Sequence, residues 1–309
     1  MRAVWSYWSR PRDLSSRRPW LAERYHLLSW ALSFLTARRH YPDTVLVTDT
    51  AGARLLVDAL GLEFGRVSTE LDALAAADPT LWSLGKLYAY RAQTEPFVHI
   101  DADVYLWNRL PERLESAPVF TQSPEPVGEW SPWYRPGVME ETLLGAPGGW
   151  VPAEWSWYLR SGLPPRADCC GVVGGQDVGF IRYYASHAVE MVEHPGNRPL
   201  WATGDFRDRD MLSVEQYLLS ACVEHHARTP GSPFAGVRME HLFASMDDAF
   251  DRPLAIRLGY THLIAAAKKE PAIVARLEQR VARDYPEAYE RCLRCVRDHG
   301  VEGEMERAA

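Results

Sequence analysis

Lysine is scarce in this sequence. The 309 residues include only three lysines, Lys86, Lys268 and Lys269, against 31 arginines. Acidic residues outnumber basic ones, the formal net charge is −7, and charges of both signs are interspersed along the chain. A chain without a basic face lacks the electrostatic footprint of nucleic-acid binding. We therefore expect no nucleic-acid partner.

Long apolar segments and a cysteine framework are also missing. No apolar run approaches the roughly 20 residues that cross a bilayer, and the N-terminus, MRAVWSYWSRPRDL, lacks the apolar core of a signal peptide. The five cysteines include the adjacent pair Cys169 and Cys170 and the pair Cys292 and Cys295, and their odd number favours reduced thiols over a disulfide framework. We expect a cytoplasmic protein with no membrane span.

What the sequence does contain is alternation of strand-like and helix-like segments. With 47% hydrophobic residues, the chain has enough apolar material for a sizeable core. Such alternation is typical of helices packed on a mostly parallel sheet, so the predicted class is α/β and the first 110 residues are predicted to bind a nucleotide. Strands are predicted at 3–8, 44–49, near Phe64 and at 97–100, with helices at 20–39, about 51–60 and about 81–93.

The second part of the chain has a different texture. Proline, glycine and tryptophan dominate between about 111 and 165, which favours loops and an open cleft wall. A strand, a glycine turn and a helix are predicted at 170–184, a helix at 211–226, a strand ending at His262, and helices from Pro271 towards His299 with an interruption near Pro286. Tryptophans of the middle segment are candidate stacking surfaces for a ligand: Trp130, Trp133, Trp150, Trp155 and Trp157.

The stretch PFVHIDADVYLW carries two carboxylates, Asp101 and Asp103, directly after a buried strand. In open parallel sheets ligands bind beyond the carboxyl ends of the strands. On extended backbone, residues two apart point the same way, so both carboxylates would face one divalent cation, and oxygen ligands suit Mg²⁺ or Mn²⁺. The alternative is structural, with Asp101 capping a turn and Asp103 solvated. The sequence favours a metal site.

These residues resemble known motifs. HIDADVYLW is similar to the D-x-D signature of GT-A-fold glycosyltransferases, and HLIAAAK, residues 262–268, resembles the H-x-x-G-x-x-K motif of the glycogenin-like retaining galactosyl- and glucosyltransferases, with Ala265 in place of the glycine. VEQYLL resembles that family's D-Q-x-x-x-N segment at Glu215 and Gln216, and GVVGGQD its acceptor-side strand. WSLGKLYAY followed by PFVHIDADVYLW is also similar to a bacterial branch of such proteins.

The resemblance implies a Rossmann-like GT-A domain over residues 1–309, with a nucleotide-sugar half at 1–110, an acceptor half at 111–265 and C-terminal helices at 266–309. It implies transfer of a sugar from a nucleotide-diphosphate donor, such as a UDP-sugar, to a glycan, peptide or small-molecule acceptor. Asp101, Asp103 and His262 would hold Mn²⁺ or Mg²⁺, and Lys268 would contact the donor phosphate.

Three further residues are candidates on the donor sugar and the acceptor side. Lys86 precedes Asp101 by 15 residues on the helix before the metal strand, so its ammonium would reach the donor; the alternative is a helix-surface lysine. Asp177 follows two glycines, and Glu215 lies on an amphipathic helix beside Gln216. Either carboxylate would hold sugar hydroxyls, act as a base or face the reacting centre. The alternatives are a helix N-cap for Asp177 and surface exposure for Glu215.

Two other functions remain open at this point. DADV also resembles the start of haloacid-dehalogenase-like phosphatases, and GDFRDRD, residues 204–210, their downstream acidic motif. That superfamily places its D-x-D on the first strand and a lysine ahead of the acidic motif, whereas here about 95 residues precede Asp101 and no lysine lies between 86 and 268. The second alternative is a non-catalytic nucleotide-sugar-binding protein.

Overall fold

The computed structural model describes residues 1–13, 19–128, 133–203 and 210–298. Its strands are β1 Arg2–Tyr7, β2 Thr44–Thr48, β3 Arg66–Ser68, β4 Phe97–Ile100, β5 Val104–Leu106, β6 Val119–Pro126, β7 Arg166–Gly175, β8 Met239–His241 and β9 Tyr260–His262.

The helices alternate with these strands over most of the chain. The α-helices are α1 Glu23–Ala37, α2 Thr50–Ala53, α3 Leu84–Ala92, α4 Glu112–Glu115, α5 Pro136–Gly145, α6 Ala153–Arg160, α7 Val178–Glu193, α8 Arg198–Thr203, α9 Asp210–Leu212, α10 Leu218–Arg228, α11 Met246–Phe250, α12 Arg252–Leu258, α13 Pro271–Asp284 and α14 Pro286–Asp298. Short 3₁₀ turns lie at Arg10–Asp13, Glu70–Leu74 and Ala265–Lys269, and π-helical turns at Arg54–Ala59 and Ser213–Tyr217.

Seven strands form one sheet in the order β3-β2-β1-β4-β7-β6-β8. The strands β3, β2, β1 and β4 are parallel, β7 is antiparallel to its neighbours β4 and β6, and β8 is parallel to β6. The sheet is therefore mostly parallel with one reversed strand. This arrangement confirms the predicted α/β class with a mixed, mostly parallel sheet.

A second sheet of two strands lies beyond the end of β4. In it β5 pairs with β9 in antiparallel register, with Val104 opposite His262 and Leu106 opposite Tyr260. The pairing places a segment near residue 262 beside the segment that follows the central strand β4. Residues that are about 160 positions apart in sequence thereby share one edge of the fold.

Both faces of the large sheet are buried. Side chains alternate along β1, so Val4 packs on one face with α3 and α7, while Ala3 and Trp5 pack on the other with α1, α13 and α14. Strands buried on both faces explain the nearly continuous apolar runs of β1, β2 and β4. All five cysteines are buried thiols. Among the residues described, no helix combines the length and apolar content needed to cross a bilayer.

The first half and the C-terminal helices agree with the sequence-based expectations, within the usual uncertainty of element ends. The interpretation of residues 111–165 as loops was wrong, because this segment contains β6 and the helices α5 and α6. Pro136 occupies the first turn of α5 and Pro152 is the N-cap of α6, positions where proline does not disrupt a helix. The residues before His262 also differ, since α12 extends to Leu258 and the strand that ends at His262 is only Tyr260–His262.

Candidate functional site

Asp101 and Asp103 flank a tight turn at the carboxyl end of β4. The backbone N–H of Val104 donates to the carbonyl of Asp101 at 3.0 Å, so the backbone forms a turn. The expectation of an extended backbone at these residues was wrong. The turn is held from α1, where Ser33 Oγ donates to the Asp101 carbonyl at 3.0 Å and Ser29 Oγ to the Ala102 carbonyl at 2.7 Å. Both carboxylates still point towards one region.

His262 reaches the same region from β9. Its Nε2 lies 3.4 Å from Asp103 Oδ1, and one ligand atom from each of Asp101, Asp103 and His262 lies within 4.8 Å of the other two. The backbone N–H of Leu263 also donates to the Asp103 carbonyl at 3.0 Å, which ties the two segments together. The structure therefore brings together the three residues that the sequence predicted as metal ligands.

Gln122 on β6 orients His262, and no sequence pattern singled this residue out. Its Oε1 accepts hydrogen bonds from Tyr260 Oη at 2.6 Å and from His262 Nδ1 at 2.7 Å. Because an amide oxygen only accepts, the proton of a neutral His262 is on Nδ1, and the lone pair of Nε2 faces Asp103. A Cβ at Gly171 would lie 2.5 Å from Gln122 Oε1 and 2.6 Å from His262 Nδ1, so glycine on β7 leaves room for this pair.

Lys268 lies on the other side of Asp103. Its ammonium forms an ion pair with Asp103 Oδ2 and lies 5.8 Å from the centre of the Trp20 ring. Residues 262–268 are not one continuous helix, because β9 ends at His262 and a 3₁₀ turn begins at Ala265. Both side chains of the HLIAAAK segment consequently converge on Asp103. Ala265 takes φ +47°, the left-handed conformation in which glycine is common.

Lys86 on α3 is nearly buried and joins Asp101 to Glu215. Its Nζ lies 2.9 Å from Asp101 Oδ1, 2.7 Å from Glu215 Oε1 and 3.3 Å from the carbonyl of Cys170. Tyr90 Oη also donates to Glu215 Oε1, at 2.9 Å. The structure thus places Glu215 behind Lys86, fully buried in the π-helical turn before α10.

Burial and neighbouring charges shift the pKa values of this cluster in different directions. Burial is the largest influence on Asp101 and raises its pKa to about 6, against the opposing charge of Lys86. Burial also acts to raise the pKa of Asp103, but Lys268 and His262 together hold this pKa well below the ordinary range. Burial acts to lower the pKa of Lys86, yet the carboxylates of Asp101 and Glu215 raise it well above its usual value. Lys86 and Asp103 are therefore charged at neutral pH, and a cation at Asp101 competes with a proton near pH 6.

Two predicted site residues lie elsewhere. Asp177 caps α7 by accepting from the Phe180 N–H at 2.9 Å. The register pairs Phe97 with Gly175, so Asp177 follows the opposite end of β7, roughly 15 Å or more from Asp101 at about 3.3 Å per strand residue. Gln216 is buried, and its Oε1 accepts from Tyr134 Oη rather than facing the two aspartates. The expectation that Asp177 shares the site was wrong, because its two glycines allow close strand packing instead.

The tryptophans of the middle segment have mostly structural positions. Trp155 is fully buried and its indole Nε1 donates to the Pro136 carbonyl at 3.2 Å. Trp150 stacks on His194 with ring centres 5.6 Å apart, and Trp157 packs edge-on against His225. Trp133 is half exposed, and Trp130 lies outside the described residues. Of the described four, Trp133 retains the exposure that a ligand-stacking residue needs.

The donor set at Asp101, Asp103 and His262 fits a divalent cation. Two carboxylates and one imidazole supply two negative charges and three ligand groups on one side, and the Nδ1–H of His262 already has an acceptor, as metal-bound histidines usually do. Mixed oxygen and nitrogen ligands favour Mn²⁺ and later first-row metals over Mg²⁺. Lys268 and Lys86 add two ammonium groups beside the carboxylates, which suits an anionic ligand bound with the cation.

The fold and the cluster define a mixed α/β protein with a candidate metal centre beyond the carboxyl end of its central strand. The chain belongs to a family of unknown function, DUF6734, whose profile matches residues 1–295. A search of curated proteins finds no match to the chain.

Proposed function

We propose that this protein is a metal-dependent glycosyltransferase that moves a sugar from a nucleotide-diphosphate sugar, such as a UDP-sugar, to a glycan, peptide or small-molecule acceptor. One observation carries the proposal. Asp101 and Asp103 at the end of β4 converge with His262 from β9, and Lys268 follows His262 onto the same carboxylate. The motif resemblance of HIDADVYLW and HLIAAAK supports this reading.

The residues of the cluster have distinct roles in this proposal. Asp101, Asp103 and His262 hold Mn²⁺ or Mg²⁺, which when bound acts as a Lewis acid on the leaving diphosphate. Lys268 exchanges part of its ion pair with Asp103 for a contact to the diphosphate. Lys86 keeps the Asp101 carboxylate in place on the donor side, while Glu215 positions Lys86 from behind and does not itself touch the substrate. The proposal assigns no catalytic base.

A thermal-shift series with nucleotide sugars tests the proposal. UDP or a UDP-sugar should raise the Tm with Mn²⁺ present and leave it unchanged with EDTA, because a cation held by Asp101, Asp103 and His262 would offset the charge of the carboxylates and of the diphosphate. At about a hundred times the Kd the gain is about 2.7 kcal/mol of stability. Asp103→Asn should abolish the Mn²⁺-dependent shift. The matched control is Asp284→Asn, since Asp284 is a surface carboxylate that ends α13 and pairs with Arg283.

Two results would contradict the proposal. One is equal stabilisation by UDP with and without Mn²⁺, which would leave the two aspartates without a metal role. The other is a Mn²⁺-dependent shift that persists undiminished in Asp103→Asn. Nucleotide release from the donor, measured with and without candidate acceptors, then separates an enzyme from a protein that only binds the nucleotide sugar.

The adjacent lysines offer a second test with a built-in control. Lys268 pairs with Asp103, whereas Lys269 is exposed. Lys268→Gln should slow donor turnover by about 10- to 150-fold, the range that corresponds to about 1.5–3 kcal/mol for a charge-assisted contact in the transition state. Lys269→Gln should leave the rate within about twofold. Equal rates for the two variants would mean that Lys268 has no role at the diphosphate.

The phosphatase alternative has its own distinguishing measurement. Asp101 would have to act as a nucleophile, but both of its carboxylate oxygens lie close to the Lys86 ammonium. GDFRDRD, the other supporting motif, falls outside the described residues except for Asp210, which pairs with Arg135 at 3.0 Å. Hydrolysis of an aryl phosphate with Mg²⁺, together with a trapped aspartyl-phosphate at Asp101, would favour that alternative.

A further inference from the structure

A second cluster of metal-ligating side chains lies at the far end of α10 from the site described above. Glu154 in the first turn of α6 and the adjacent His225 and His226 in the last turn of α10 each place one ligand atom within 4.8 Å of the other two. His225 lies ten residues after Glu215, or about 15 Å along a helix. The two clusters are therefore separate.

The histidine nitrogens of this cluster have unused hydrogen-bonding capacity. His226 is 4% exposed, and its Nε2 lies 3.3 Å from Glu154 Oε1 without the geometry of a hydrogen bond. The Nδ1 of His225 is also buried and forms no hydrogen bond within the described part of the chain. Buried polar atoms are normally paired, so the orphaned nitrogens of two adjacent histidines in a cluster with Glu154 indicate a further binding partner.

The surroundings of the cluster orient the side chains as they would for a metal ion. His226 Nδ1 lies 2.5 Å from Ser232 Oγ, and a proton on that nitrogen leaves the Nε2 lone pair facing Glu154. Tyr183 Oη donates to Glu154 Oε1 and so fixes the carboxylate. Aromatic rings enclose the group, and His225 remains half-buried, which gives an ion access from solvent.

We propose that Glu154, His225 and His226 form a binding site for a late first-row divalent cation of the Zn²⁺ type, which joins α6 to α10. Two imidazoles and one carboxylate are a common zinc donor set, with a fourth position left for water, and they discriminate against Mg²⁺ and Ca²⁺. The ion bridges two helices that pack on the same face of the sheet, so its binding stabilises the folded chain.

Helix dipoles offer a simpler explanation that makes different predictions. A glutamate in a first turn and histidines in a last turn are each favourable near those helix ends. The helix-dipole effect requires protonated imidazoles. It does not require the three side chains to converge on one point. If helix dipoles alone explained the cluster, Zn²⁺ would not bind selectively to Glu154, His225 and His226.

Zinc binding is measured best in the Asp103→Asn background, where the first site is disabled. Equilibrium dialysis should show about one equivalent of Zn²⁺, and Zn²⁺ should raise the Tm. Adding His225→Gln and His226→Gln should weaken the affinity by at least about tenfold, whereas His194→Gln, a histidine stacked on Trp150, should not change it. Co²⁺ absorption in the visible range, present in the background protein and lost in the double variant, reports ligation directly.

The single variant His225→Gln keeps the proposal testable if the double variant does not fold. His225 is only half-buried, so its replacement should be tolerated. This single change should also lower Zn²⁺ affinity by at least about tenfold, and Ser232→Ala should lower it by about 10- to 100-fold through loss of the orienting contact. Absence of bound Zn²⁺ in the Asp103→Asn protein would overturn the proposal. So would unchanged affinity in a folded variant of His225 or His226.

Discussion

The scarcity of lysine has a physical explanation at Lys86. An ammonium has three donors on one compact charge, and Lys86 directs them to Asp101, Glu215 and the Cys170 carbonyl. A planar guanidinium spreads its donors in a fixed fork and is larger, so it does not fit three partners that surround one point. Lys86 therefore stands where a compact charge is required, in a chain whose other basic residues are mostly arginines.

Gln122 is the residue whose role is easiest to isolate. Gln122→Leu keeps the size of this buried side chain but removes the acceptor that holds His262 Nδ1–H. We expect Mn²⁺ affinity to fall by about 10- to 100-fold, because loss of the contact frees the imidazole to rotate and to change tautomer. Titration followed by Mn²⁺ electron paramagnetic resonance measures this without any substrate.

The control for that prediction is Gln176→Leu. Gln176 is exposed and follows the opposite end of β7, where its side-chain Nε2 donates to the Glu115 carbonyl. The Gln176→Leu variant should bind Mn²⁺ with the same affinity as the parent protein. If Gln122→Leu also binds Mn²⁺ with parental affinity, His262 is not held by Gln122 in a way that matters for a metal.

Among the elements, the 3₁₀ turn Ala265–Lys269 decides whether Lys268 reaches Asp103. The chain leaves β9 at His262 and reverses at Ala265, which is the one non-glycine residue of the described chain with positive φ. A left-handed conformation costs an L-residue about 1–2 kcal/mol. The turn is held in place by the Lys268 carbonyl, which accepts from the Leu21 N–H at 3.0 Å.

Replacing Ala265 tests this strain. Ala265→Gly removes the conformational energy of an L-residue in the left-handed region. It also raises the conformational entropy of the unfolded chain, which lowers the free energy of unfolding by about 0.4–1 kcal/mol. The free energy of unfolding should therefore stay unchanged or rise by about 1 kcal/mol, as measured by urea denaturation. Ala266→Gly, one residue later at ordinary φ, should lose about 0.5–1 kcal/mol. Equal losses in the two variants would show that Ala265 is not strained.

At the scale of the whole molecule, the C-terminal helices support the candidate metal centre indirectly. Helices α13 and α14 pack on α1, and α1 carries Ser29 and Ser33, which hold the carbonyls of the Asp101 turn. The helices that follow His262 therefore stabilise the turn before β5 through their packing on α1. This packing predicts that the helices unfold together with the sheet.

Leu277→Ala tests that coupling. Leu277 is 4% exposed on α13, so truncation should cost about 2–5 kcal/mol of global stability. Tryptophan fluorescence and far-ultraviolet circular dichroism should give one coincident transition. The matched change Gln279→Ala, at an exposed position of the same helix, should stay within about 0.5 kcal/mol. Two separate transitions would mean that the helices form an independent unit.

The sequence by itself determined the class of fold and the metal-ligand candidates. Alternation of apolar segments predicts the layers because hydrophobic periodicity is a local property. Asp101 and Asp103 could be named from their spacing after a strand, and His262 and Lys268 from the resemblance of HLIAAAK to a known motif. The local signals failed in residues 111–165, where prolines that read as breakers are the first residues or caps of helices.

Only the tertiary structure decided which of the candidates meet. Asp177 and Asp101 both follow strands, but β4 and β7 are antiparallel neighbours, so the two residues lie at opposite ends of this strand pair. Gln122, Ser29 and Ser33 have no local signature, because their importance comes from the atoms that packing places beside them. Register and packing depend on the whole chain at once, so a contact between distant residues is set by the fold and not by either residue's neighbours in sequence.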